Sequence, residues 1–304
     1  FFCIANYCFA VGQIPYDKIL TKIAPANKLS QISNQGYAWG YLGGGTLFLI
    51  NALMFLYWDK IGLQSSVDAV KISFIMVSIW WFAFMLPIRK NYKEDILHHK
   101  KIFLIKESFK NILTTLRSIS QYRNVSLFLI AFFLFIDGAH TVIYLAADFA
   151  LNVGLKANDV IPALILVQFV AFPATILWGY IADKYGDKPV LFITIIFYIF
   201  IIFFSTTLSS AFEFYILAIL VGGVQGGIQG SSRSLYGKII PPEKAGEFFG
   251  IYNVLGRAGA IFGPLMVGGL LALYGDIRIS LLPIAVLFIL GGLVLLKVKE
   301  SNEI

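Results

Sequence analysis

The sequence predicts an all-α polytopic membrane protein, and three observations carry that prediction. The chain of 304 residues is 58% hydrophobic and only 13% charged, where a soluble domain averages about 25% charged residues. Apolar runs near the ~20 residues that span a bilayer recur at 37–57, 71–88, 125–147, 160–181, 190–208, 212–230, 248–273 and 279–296. A ninth, shorter run covers 1–16. The runs lack the period-two alternation of membrane strands. Lipid offers the backbone no hydrogen-bond partner, so each run must be a helix.

Charge then sets the topology. The formal net charge is +7, which in a soluble chain would raise the question of nucleic acid. Here 19 of the 24 Lys and Arg residues fall on one set of alternating connections, four on the other, and Arg257 inside a run. Cationic loops stay on the cytoplasmic side, so the basicity reports orientation and places the C-terminus inside, with no nucleic-acid partner. Cys3 and Cys8 are the only cysteines and share the first run, which argues against a disulfide framework. His98 and His99 lie among lysines in a connection, and no metal or cofactor is expected. Phe1 opens inside an apolar run with no cleavage site after it, unlike a signal peptide. Such a start reads as the tail of a longer chain.

The longest polar stretch, 89–124, divides helices over 1–88 from six helices over 125–304. Within it Ile105, Phe109, Ile112, Leu116 and Ile119 recur at steps of three and four. That is one face of an amphipathic helix, suited either to an anionic leaflet or to packing on the bundle. An internal repeat crosses the divide. KIAPANKLSQISNQGYAWGYLG from Lys22 and KIIPPEKAGEFFGIYNVLGRAG from Lys238 align at one constant offset, matching Lys22/Lys238, Ile23/Ile239, Pro25/Pro241, Lys28/Lys244, Gly40/Gly256 and Gly43/Gly259. Each copy is an inner connection followed by a Gly-rich span. Parallel repeats of this kind mark transporters. The second copy enters the fifth helix of its six, so the three helices before residue 89 read as the fourth, fifth and sixth of a first half.

Between two of the downstream spans stands GYIADKYGDKP, Gly179 to Pro189. It resembles the loop signature G-x-x-x-D-[RK]-x-G-[RK]-[RK] of the major facilitator superfamily at Gly179, Asp183, Lys184, Gly186 and Lys188, with Asp187 where a cation is usual. Gly179 would admit a close helix, and Gly186 would turn a short connection. Asp183 would face the positive N-terminus of the helix that carries the 37–57 run, a contact that forms when the inner side closes. A solvated turn is the plainer reading of Asp183 and Lys184.

Other segments are similar to the autophagy-related vacuole effluxer branch of that superfamily. VQGGIQGSSRS (Val224–Ser234) with Pro241, Pro242 and EFFGIYNVLGRAGAIFGPL carries the most specific likeness. IDGAHT (Ile136–Thr141) resembles the branch's N-D-G-x-N-T, departing at Ile136 and His140. VQFVAFPATILWGYIADKYG and ANYCFAVGQIPYDKILTKIAP match two further helices. The resemblance implies the major facilitator fold with about nine of its twelve transmembrane helices present. It also implies secondary transport, and for the eukaryotic namesake amino-acid export.

Ionisable groups inside a bilayer need a partner or water. Asp137 and Arg257 lie roughly 18 and 14 Å along helices that start at the same face, so an Asp137–Arg257 pair near the midplane is expected. His140, three residues on, could share a proton with Asp137; a pair that only locks helices is the structural alternative. Gln225 and Gln229 could bind a solute or bridge helices, beside Gly222, Gly226 and Gly230 as a packing face. Gln168 and Asn253 are weaker candidates. No metalloprotease or serine-hydrolase motif is present, and no enzyme is expected.

The expected function is therefore alternating-access transport of a small solute, amino-acid efflux included, with membrane lipids as surroundings and protons as the candidate coupling ion. The alternative is a truncated membrane protein with a binding or scaffolding role. A bacterial inner membrane is the expected location.

Overall fold

The computed structural model describes residues 2–92, 114 and 119–300. Nine long helices occur among them: α1 (Phe2–Ile23), α2 (Leu29–Leu56), α3 (Ser66–Asn91), α4 (Arg123–Asn152), α5 (Ala157–Tyr185), α6 (Asp187–Thr206), α7 (Ala211–Ile239), α8 (Ala245–Tyr274) and α9 (Ile277–Leu295). Eight, all but α1, are long and apolar enough to cross a membrane. Each predicted run coincides with one helix; the runs over 37–57, 190–208 and 279–296 end one or two residues past their helices, whereas other helices extend well beyond their runs. α2 begins eight residues before its run, with the polar turns of LSQISNQ, and α7 continues nine residues beyond its run through SSRSLYGKI. An apolar run marks what lipid tolerates; helical hydrogen bonding continues wherever polar side chains find partners of their own.

The two copies of the repeat share a local structure. Pro25 (φ −65°) and Pro241 (φ −64°) each lead into one 3-10 turn, at Ala26–Lys28 and Pro242–Lys244, which passes directly into α2 or α8. Proline's fixed φ suits an extended residue there, and its missing N–H stops the preceding helix.

The chain forms two compact units, one of residues 1–42 with 112–304 and one of residues 43–111. In the larger, α5 packs along α7, α4 against α8 and α9, and α6 against α7 and α9. Lipid tails are as apolar as leucine side chains, so close fit drives this association. A Cβ on Gly222 would stand 2.7 Å from the Val167 carbonyl oxygen, and one on Gly138 2.6 Å from the Phe288 ring. Both of these glycines, and Gly226 against Thr175, lie where two helices nearly touch. The Trp178 indole N–H donates to the Gly223 carbonyl at 2.7 Å across the same α5–α7 seam. Aromatic rings fill the α4–α7–α8 space: Phe132 stacks on Tyr252 at 4.1 Å, Tyr236 on Tyr252 at 5.0 Å, and Phe128 on Tyr236 at 5.6 Å.

The smaller unit holds the second half of α2 and α3. Ser65 caps α3 by accepting from the Asp68 N–H, and Trp80 packs on Phe84 at 4.9 Å. Phe74, Ile79, Phe82 and Phe84 are exposed along α3, as suits a helix in lipid. The predicted amphipathic helix over 105–119 falls largely outside the described residues.

Candidate functional site

The cationic ends of the helices are closed by buried polar groups in two layers. The first is built on the opening turns of α2, where Ser30, Ser33 and Asn34 are fully buried. Two glycines let α2 in: a Cβ on Gly179 would stand 3.0 Å from Asn34 Cβ and 3.2 Å from Gln31 Cα, and Gly230 lies against Asn34. Asp183 Oδ1 accepts from the Gln31 backbone N–H at 3.2 Å. That N–H belongs to the first turn of α2, which lacks a partner of its own, so the expected carboxylate-to-N-terminus contact is present. Ser33 Oγ donates to the Gly230 carbonyl at 2.7 Å.

At the centre of this layer is Arg233, only 3% exposed. Its Nη1 pairs with Asp17 Oδ1 at 3.2 Å, its Nε donates to Ser33 Oγ at 3.0 Å and its Nη2 to the Ser33 carbonyl at 2.6 Å. The guanidinium also lies 4.5 Å from the Tyr37 ring centroid. Asn253 Nδ2 donates to the other Asp17 oxygen at 2.8 Å. Sequence reasoning counts Arg233 as one more cation of an inner connection and passes over Asp17. The signal is nonetheless there: carried five residues upstream, the repeat sets Asp17 opposite Arg233 at the same offset that relates Lys22 to Lys238. Equivalent positions of the two copies meet as opposite charges.

The second layer is built on Asp187, the residue that stands where the loop signature usually has a cation. It is a fully buried carboxylate paired with Lys238 at 2.8 Å, and it accepts from Ser30 Oγ at 3.1 Å. Lys238 also reaches Glu300 at 3.3 Å. Glu300 in turn accepts from the backbone N–H groups of Asp187 and Lys188, at 2.9 and 3.2 Å, and so caps α6. Lys188 Nζ donates to the Leu296 and Val298 carbonyls at the end of α9. Gly186, alone between α5 and α6, has φ +95°, which glycine adopts without strain, and its Cα side faces the Glu300 carboxylate. Asp183 and Lys184 lie in the last turn of α5, with Lys184 exposed over the Tyr185 ring. Glu300→Ala removes the acceptor for two first-turn N–H groups and one partner of Lys238. It is expected to cost about 1–2 kcal/mol, read as a lower Tm in detergent, with Glu300→Gln recovering part of the loss.

On the side of the first layer away from the cationic end lies a cavity of about 400 Å³. Its polar lining includes Gln13, Tyr37, His140, Gln229, Asn253 and Arg257, with Phe132 and Tyr252 among the walls. Gln13 with Gln229, and Tyr37 with Asn253, are again register-equivalent across the repeat. Gln229 Oε1 accepts from Tyr41 Oη at 2.6 Å. The guanidinium of Arg257 sits 5.0 Å from the Phe9 ring centroid. The cavity floor is continuous with the first layer, because Tyr37 touches Arg233 and Asn253 holds Asp17.

The expected Asp137–Arg257 pair does not form among the described residues. Asp137 is 1% exposed and turned into the α4–α8 contact, where its Oδ1 accepts from the Gly263 N–H at 3.0 Å. Equal depth on two helices leaves the rotation of each about its axis undetermined, and here the two side chains leave in different directions. His140 lines the cavity, its Nδ1 buried without a partner, and no hydrogen bond joins it to Asp137. Gln225 is likewise buried with an unpartnered Nε2 and does not line the cavity; Gln168 is half-buried on α5 outside it.

The family described as "Vacuole effluxer Atg22 like" matches residues 20–303. The chain belongs to this family. The "Uncharacterized MFS-type transporter YxiO" of Bacillus subtilis (strain 168) is 31% identical over the whole chain, which covers 71% of that protein. "Autophagy-related protein 22-1" of Penicillium rubens is 27% identical over 85% of the chain, and "Autophagy-related protein 22" of Pichia angusta 26% over 88%. The chain spans about half the length of these fungal relatives, 47% and 55%. Among solved structures, that of FucP, a major facilitator superfamily transporter in the outward conformation, superposes with a TM-score of 0.68. The match covers 95% of this chain and 72% of that one at 15% identity. The Atg22-like chain therefore has the major facilitator fold and is a multi-pass membrane protein of a transporter family.

Proposed function

We propose that this Atg22-like chain carries the inner gate and part of the solute pathway of a secondary active transporter working by alternating access. The observation that carries the reading is the cavity floor. Tyr37 and Asn253 face the cavity and also hold the Arg233–Asp17 pair. Parallel repeats rock about an axis between them, so a contact between register-equivalent residues lies where the two halves part. Arg233–Asp17, Asp183–Gln31 and Ser30–Asp187 are then made in the state closed at the cationic end and broken in the state open there. The family's description suggests efflux of a small solute, amino acids being the first to assay. The excess of cations supports a cytoplasmic location for this end, and the Bacillus relative favours a bacterial cell. The test is flux in proteoliposomes made with the full-length protein, alongside labelling of a single cysteine at Ser30 from the cationic side. Transport with no solute-dependent change in that labelling would sink the gate.

Proton coupling has a separate test at Asp137, which is buried and holds the backbone of α8 through Gly263. Asp137→Asn keeps the shape of the side chain and removes the titratable group. Flux driven by a pH gradient is expected to disappear while membrane level stays unchanged. Gradient-driven flux at the parent rate would exclude Asp137 as the coupling site.

A further inference from the structure

We infer that the cavity takes its solute by a carboxylate and that Arg257 is the residue that holds it. This rests on the cavity being the solute site, as proposed above.

Arg257 lies near the middle of α8, about 18 Å from its start, at a depth where an unpaired cation is expensive and marks a functional position. No ion pair reaches it among the described residues. Its guanidinium lies over the Phe9 ring at 5.0 Å from the centroid, a cation–π contact that leaves the edge of the fork free. The two nearby carboxylates are engaged elsewhere. Asp17 accepts from Arg233 with one oxygen and from Asn253 with the other, and Asp137 is buried against the Gly263 N–H. Arg257 is thus the one formally charged side chain in the described lining.

The neutral polar groups beside it favour the same ligand. Tyr41 occupies the Gln229 carbonyl oxygen, so the amide nitrogen of Gln229 remains to donate into the cavity. A planar fork with further donors nearby matches a carboxylate, which can accept two parallel bonds from arginine. The stacked rings of Phe132 and Tyr252 offer an apolar wall for the rest of the molecule. No carboxylate in the described lining awaits an ammonium group.

Three compounds with one ring and different head groups test this: hydrocinnamate (acid), L-phenylalanine (zwitterion) and hydrocinnamamide (neutral). Binding to the full-length protein in nanodiscs is measured by calorimetry. A charge-assisted bond is worth enough for the acid to bind about 10- to 100-fold more tightly than its amide. Arg257→Gln is expected to remove that preference and Arg257→Lys to keep part of it. If L-phenylalanine binds as tightly as the acid, the carboxylate belongs to an amino acid; if it binds more weakly, to a simple organic acid. Both results uphold the inference. An acid that fails to bind, an amide that binds equally well, or a preference that survives Arg257→Gln overturns it. Ala260→Trp, which fills the cavity, separates the two readings. If the amide binds as well as the acid and Ala260→Trp abolishes both, the cavity stands and the carboxylate falls. If binding ignores Ala260→Trp, the cavity reading itself fails.

Discussion

Arg233→Ala is expected to destabilise the protein by about 3–5 kcal/mol, the usual consequence of leaving one member of a buried ion pair uncompensated, and to abolish flux. The guanidinium serves Asp17, the Ser33 hydroxyl and the Ser33 carbonyl at once. Removing it strands a carboxylate and a carbonyl oxygen in a layer closed to water. Arg233→Lys is expected to recover only part, since one ammonium cannot reach all three acceptors with the geometry of a planar fork. The charge swap of Asp17→Arg with Arg233→Asp is expected to fail too. The new carboxylate would face the Ser33 carbonyl oxygen, so the opposite charges alone do not define the site. Thermal unfolding followed by tryptophan fluorescence, with flux measured in parallel, checks these expectations. A Tm and a flux equal to the parent's in Arg233→Ala would show that the pair neither supports the fold nor gates it.

The second large effect separates two glycines of one stripe. Gly226 and Gly230 are one helical turn apart on α7, yet they face different neighbours. Gly226 meets Thr175 of α5 within the six-helix assembly of α4–α9; Gly230 meets Asn34 of α2, including its Cα at 3.0 Å. Gly226→Leu overpacks a seam that has no reason to open. It is expected to cost at least about 1–3 kcal/mol and to lower the amount of protein in the membrane. Gly230→Leu puts the same bulk at the proposed gate, where α2 can withdraw. It is expected to leave membrane level near that of the parent, stop flux, and speed labelling of a cysteine at Ser30, which is fully buried in the closed form. The exposed Cys3 and Cys8 must first be replaced. Equal losses of membrane level in the two variants would mean that both positions are merely packing.

Particular residues show how far the sequence reaches into the site. Gly179, Asp183 and Gly186 are legible because each acts locally, by admitting a helix, accepting from a first turn, or adopting positive φ. Gln229, Asn253, His140 and Arg257 stand out as polar groups in apolar runs, and the fold brings these four to one cavity. Asp137 stands out on the same grounds and points elsewhere. Asp17 leaves only the register of the repeat as a trace of its pairing with Arg233, and the pairings of Asp187, Lys238 and Glu300 escape sequence reasoning, because a charge near a helix end looks the same in a sequence whether water or another helix covers it.

From its sequence alone, the chain can be read as a set of membrane helices with a cationic end, an internal repeat and the signature of a transporter family. Hydropathy and charge act residue by residue against a solvent of known geometry, so they are written along the chain. Which charges pair is a different matter. An α-helix fixes the depth of a side chain at 1.5 Å per residue, but its rotation and its neighbours come only from packing. That packing turns Asp137 away from Arg257, joins Arg233 to Asp17, and leaves Arg257 beside a cavity with no ion pair among the described residues.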